Sequence, residues 1–171
     1  MAQSAIVVVV EEAEPVVGAH RLHHDPVASL GVPAHVTILY PFRPVVDAEA
    51  DDVLSAIARA IPPFEVTFAQ TERFPEGVLY LPPEPSEPIR AIMQSVAAAF
   101  PDCPPYEGEI ADPTPHLTIG LDLSSATADR LSEEIAPLLP VATRFERLTL
   151  LVEEGGAWKM DRHWKFGEGT E

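Results

Sequence analysis

One pattern occurs twice in this chain, as His35-Val36-Thr37-Ile38 and His116-Leu117-Thr118-Ile119, with the two histidines 81 positions apart in a chain of 171 residues. Each copy follows a proline closely, Pro33 or Pro115, and each lies in an apolar run, AHVTILYPF from 34 to 42 and HLTIGL from 116 to 121. Side chains two apart on a strand share a face, so His35 points with Thr37 while Val36 and Ile38 point the other way, and His116 points with Thr118. Each strand then has one wet face and one dry face. Their spacing, close to half the chain, predicts two copies of one supersecondary unit. Related by an approximate two-fold, the wet faces meet across a groove that presents two imidazoles and two hydroxyls.

The remaining elements predict an α+β fold. Ile6 to Val10 is an unbroken apolar run, as for a central strand covered on both faces. A short helix follows from about Pro15 to His24, ended by Asp25-Pro26. A second helix runs from Asp47 to Ile61 with Val53, Leu54, Ile57 and Ile61 on one side, stopped by Pro62-Pro63. Phe64 to Phe74 alternates as a strand, and Gly77 turns the chain into Val78 to Leu81. Ser86 opens a helix carrying Ile89, Ile92, Met93, Val96 and Phe100, and Ser124 or Ser125 caps another with Leu131, Ile135 and Leu138. Thr143 to Glu153 reads as a strand, and Gly155-Gly156 joins it to Ala157 to Phe166, with Trp158, Met160, Trp164 and Phe166 on one face and Arg162 interrupting it. Mixed strands and helices with several hairpins imply antiparallel sheets. No flexible linker divides the chain, so one domain over 1–171 is expected.

Two histidines facing one bound group suit proton transfer. Imidazole titrates near neutrality, so one ring accepts a proton while the other donates one, and phosphodiester hydrolysis needs both. The catalytic candidates are His35 and His116. Thr37 and Thr118 each add a hydroxyl about 6.6 Å along the strand, at ~3.3 Å per residue, to hold a phosphate oxygen. The arrangement calls for no metal and no cofactor. His20, His23 and His24 share a helical face, but without a third ligand a solvated face is the expected account. Arg43 and Arg73 are candidates for steering phosphate or for pairing with acids, and Arg162 for reaching the cleft or pairing with an acid. Tyr40 and Phe42 offer aromatic walls, although alternation places Tyr40 on the dry face.

Charge narrows the partners. With 27 acidic and 11 basic side chains the chain carries a formal charge of −16, which repels a long phosphate backbone and argues against duplex nucleic acid. A single cysteine, Cys103, forms no internal disulfide and fits a reducing compartment. The apolar run at the amino end is too short to cross a bilayer and has no basic flank, so a cytoplasmic protein without membrane association is expected.

On the two tetrapeptides, and on PAHVTILYPF, RFPEGVLYLPPEP and the aromatic closing strand around Trp158 and Trp164, the chain resembles the 2H phosphoesterase superfamily, its 2′-5′ RNA ligase-like and cyclic phosphodiesterase branch. The resemblance implies a bilobal fold of two pseudo-symmetric antiparallel β-sheets with outer helices and a central groove. It implies metal-independent opening of 2′,3′-cyclic phosphates to 2′-phosphates, or chemistry at 2′-5′ linkages. By position, His116 would be the base and His35 the acid, although a pseudo-symmetric site could run either way. The expected partner is a small cyclic nucleotide or an RNA 3′ end, met by a monomer. The alternative is a non-catalytic nucleotide- or phosphate-binding regulatory module that keeps the groove.

Overall fold

The computed structural model describes residues 3–167. The fold is α+β, and every strand pairing in it is antiparallel. Strand β1 (Ser4–Val9) lies between β2 (His35–Leu39) and β9 (Arg147–Glu154), and β10 (Ala157–Lys165) closes that four-stranded sheet. Its central place explains the unbroken apolar run: Ile6 and Val8 enter the main core, while Ala5 and Val7 join a second cluster with Val32 and Leu151 on the opposite face.

Two smaller ladders complete the strands. In one, β3 (Phe64–Phe68) lies between β6 (Pro83–Glu84) and β8 (Val141–Phe145); in the other, β5 (Val78–Leu81) lies between β4 (Glu72–Phe74) and β7 (Leu117–Gly120). Two expected strands are therefore each divided. Phe64 to Phe74 becomes β3 and β4, and Thr143 to Glu153 becomes β8 and β9, because the chain leaves one ladder for another at 69–71 and at Glu146. The hydrogen-bonded partners are distant in sequence, and they, not local alternation, set those breaks.

The helices are α1 (Glu14–His24), α2 (Ala48–Arg59), α3 (Glu87–Ala99) and α4 (Ser125–Ile135). Asp47 caps α2 by accepting from the Ala50 amide at 2.8 Å, and Ser124 caps α4 by accepting from the Thr127 amide at 3.1 Å. Leu54, Ile89, Ile92, Val96, Leu131 and Ile135 are buried as their spacing predicts, each worth roughly 1.5–3 kcal/mol of transfer free energy. Leu138 is instead 54% exposed, since the helix tightens into a 3₁₀ turn after Ile135. Helix α2 packs on β10, α3 on β2, and α1 on β7.

Three strands carry a bulge. In β2 the pairs Val7↔Thr37 and Ile6↔Leu39 leave Ile38 over; in β7 the pairs Tyr80↔Thr118 and Leu79↔Gly120 leave Ile119 over. The same residue of the repeated pattern is thus extra in both copies. In β10 Asp161 is skipped between the pairs of Met160 and Arg162. An extra residue reverses the alternation beyond it. Hence the expected single aromatic face of the last strand is split. Trp158 stands on the cavity side of the sheet, Met160 is 54% exposed, and Trp164 and Phe166 enter the core. Arg162 pairs with Asp51 and Asp161, both at 3.2 Å.

The loop from Asp25 to Pro33 is pinned to this last hairpin. The Trp158 amide donates to Leu30 O at 2.7 Å, and Gly31, at φ +104°, approaches so closely that a Cβ would lie 2.5 Å from Trp158 O. Gly31→Ala is accordingly expected to destabilise the fold by more than ~1 kcal/mol. Thermal unfolding checks it, with a fall of at least about 2–4 °C expected.

Candidate active site

Both motif histidines are fixed in the same way. His35 Nδ1 lies 2.8 Å from Pro33 O and His116 Nδ1 lies 2.6 Å from Thr114 O, in each case the carbonyl two residues earlier. A carbonyl only accepts, so Nδ1 carries the hydrogen and the neutral ring keeps its lone pair on Nε2. Burial alternates as the sequence predicts: His35, Thr37, His116 and Thr118 are half-buried, whereas Val36, Ile38, Leu117 and Ile119 are buried. Strands β2 and β7 lie against each other.

Burial holds His35 down to a pKa of about 4, against the stabilising bond to Pro33 O. The nearby Arg21 and His116 lower it further, and Asp25 opposes them. His116 is thus within electrostatic range of His35. Its own pKa is also lowered by burial, with the Thr114 carbonyl opposing.

The surroundings of the two rings differ. His116 is enclosed edge-on by Phe74 at 5.3 Å and Tyr80 at 5.8 Å between ring centres, and those two stack on each other at 4.1 Å. Burial pushes the Tyr80 phenol up to about 12, and as a donor it bonds Glu72 Oε2 at 3.0 Å. His35 and Thr37 instead open onto a cavity of about 510 Å³ floored by Ala5, Val7 and Leu151 and walled by Tyr40 and Trp158. His116 and Thr118 do not line that cavity.

Tyr40 is a correction to simple alternation. The extra Ile38 turns Leu39 into the core and brings Tyr40 round to the side of Thr37, where its hydroxyl donates to Gln3 Oε1 at 3.0 Å. Phe42 is buried against Phe100, edge to face at 5.0 Å, so it walls nothing. A residue absent from the sequence reading, Tyr106, has its side chain beside Thr37 and donates its amide to Tyr40 O at 2.7 Å. Tyr106 and Glu107 occupy the left-handed region at φ 50° and 58°, strain of about 1–3 kcal/mol each that non-glycine residues carry mainly at functional sites. Nothing in PPYEG signals that contact, because it is made across the fold.

The other charged candidates are engaged elsewhere. Arg43 makes a two-pronged pair with Asp102 at 2.8 and 2.9 Å, and Arg73 pairs with Asp129. His20 lies 3.8 Å from Glu134, and no group of three or more His, Cys, Asp or Glu side chains is placed to hold a metal ion among the described residues. No helix there is long and apolar enough to cross a membrane.

The α+β fold, which carries His-x-Thr on two strands, is that of the 2H phosphoesterase superfamily. Solved structures agree on the fold. E. coli LigT in complex with 3′-AMP is 18% identical, with a TM-score of 0.59 over 98% of this chain and 99% of that one. TT0787 of Thermus thermophilus is 18% identical, with a TM-score of 0.63 over 97% and 99%. The sequence profile of the 2′-5′ RNA ligase superfamily matches residues 6–157, and the chain belongs to that superfamily. No curated protein matches it in sequence. The superfamily supports an activity of the phosphodiesterase type.

Proposed function

We propose that the protein is a metal-independent phosphodiesterase that opens 2′,3′-cyclic phosphates of small nucleotides or RNA ends, acting as a monomeric single-domain enzyme in the cytoplasm, on single-stranded rather than duplex ligands. The observation that carries this reading is the identical fixing of the two imidazoles, each with Nδ1 held by the carbonyl two residues back and Nε2 left to exchange a proton. The cyclic phosphate lies between His35 and His116, with Thr37 and Thr118 donating to its non-bridging oxygens. One imidazole takes a proton from water as it attacks phosphorus. The other protonates the departing 3′ oxygen, leaving a 2′-phosphate. By the superfamily's positions His116 is the base and His35 the acid. The electrostatics of the free protein add a requirement, since His35 is the harder ring to protonate; the negative phosphate, which raises both pKa values, supplies the missing proton affinity.

Turnover of 2′,3′-cyclic AMP in excess chelator, followed by phosphorus NMR, tests the reading. A 2′-phosphomonoester at rates well above background is expected. Binding without turnover assigns the site to the alternative, a nucleotide-binding module.

The pH profile is a separate check. Activity requires one ring charged and one neutral, a state that peaks between the two pKa values. His35 titrates at about 4 and His116 below the ordinary 6.5, so kcat/KM is expected to peak on the acid side, between pH 4 and 6.5. Above that window both rings are neutral and the acid is lost; below it both are charged and the base is lost. The kcat optimum lies higher, because bound phosphate raises both values. A kcat/KM that is flat from pH 5 to 8 contradicts a two-histidine mechanism.

A further inference from the structure

The cavity beside His35 has an unusual lining for a phosphate-handling site. Its wall is Ala5, Val7, Leu30 and Leu151 with Trp158 and Tyr40, and among the described residues no lysine or arginine lines it. The carboxylate that does is Glu153, half-buried and held at the hairpin end, where the Gly156 amide donates to its Oε1 at 2.7 Å and the Glu153 amide donates to Gln3 O at 2.8 Å. About 510 Å³ suits one small molecule rather than a strand. An aromatic and aliphatic wall accepts a base or another flat apolar body at little electrostatic cost, since every base has a π-face.

A second phosphate on that body meets the opposite conditions. Like charges a few ångströms apart in a half-dry cavity repel strongly, and among the described residues no lysine or arginine lines it to offset the Glu153 carboxylate. The overall charge of −16 adds to the same field. The arginines nearest in role are already committed, Arg43 to Asp102 and Arg162 to Asp51 and Asp161.

We infer that this cavity selects ligands with a single phosphate and an apolar or aromatic body, and that Glu153 at its rim rejects a second phosphate. This rests on the proposed function only for placing the first phosphate at the histidines. Within the proposed range of substrates, nucleoside cyclic phosphates with a free 5′-hydroxyl are then preferred over RNA 3′ ends, whose terminal nucleotide carries a phosphate on its 5′ side.

Calorimetric binding of adenosine 2′-phosphate and adenosine 2′,5′-bisphosphate tests it without turnover. The wild-type protein is expected to bind the monophosphate at least tenfold more tightly. Glu153→Gln keeps the shape and an amide oxygen for Gly156, and is expected to shrink that ratio below threefold. Trp158→Ala is expected to weaken both ligands about tenfold and leave the ratio unchanged. Equal affinities in the wild type, a ratio that survives Glu153→Gln, or binding of neither ligand overturns the inference. Hydrolysis without the preference sinks this inference alone, and the preference without hydrolysis sinks the proposed activity alone.

Discussion

Replacing His116 by alanine is expected to lower turnover of 2′,3′-cyclic AMP by about 10²- to 10⁴-fold, the range for losing one general acid or base. His35→Ala is expected to do the same. The two rings act on one proton inventory, so the double replacement should cost little more than either alone; residues that act as a unit are far from additive. The folded state gives these variants a control. Each ring makes one bond to a local carbonyl and none to a distant element, so far-UV circular dichroism and the unfolding midpoint should change little. Single-turnover rates within twofold of the parent for either variant would remove that histidine from the mechanism. The pH profile sharpens the test, because each single variant should lose one limb of the bell.

Asp25→Ala is expected to destabilise the protein by about 3–5 kcal/mol, the cost of stranding a buried charge. Arg21 and Asp25 are 2% and 3% exposed and pair at 3.0 Å, four residues apart across the end of α1. Arg21 Nη1 also donates to Val32 O at 3.0 Å, and Asp25 Oδ1 accepts from the Val27 amide at 3.3 Å, so the pair ties down the loop that lines the cavity. Arg21 Nε has no partner, so little slack remains once the carboxylate goes. Urea unfolding reads the loss as a lower midpoint at unchanged slope. Replacing both residues with apolar ones of similar volume should recover most of it, since a buried ion pair seldom outperforms good packing. A change below about 1 kcal/mol for Asp25→Ala would mean that water reaches the guanidinium. Without Asp25 the Arg21 charge also acts on His35 unopposed, so the acid limb of the activity profile should move to lower pH.

What the sequence makes legible is whatever repeats locally. The His-Thr pairs, the covered run of β1 and the apolar stripes of the helices follow from periods of two and 3.6. Period two assumes that every residue has a partner, and Ile38, Ile119 and Asp161 do not. Tyr40 and Trp158 therefore turn up beside the motif where alternation alone places one in the dry layer and the other with Trp164. The separation of β3 from β4 and of β8 from β9 depends on which distant strand each one meets. Arg21 and Asp25 read as an ordinary helix end, because their burial is imposed by the loop folded over them. Tyr106 carries no local signal at all.

The matching bulges also bear on folding fidelity. Ile38 is 2% exposed and Ile119 is fully buried. A one-residue slip in either strand would push that isoleucine outward, forfeiting roughly 1.5–3 kcal/mol, and would drive a histidine into the oily interior as well. Each half thus proofreads its own alignment, and a misthreaded chain is penalised before any ligand arrives.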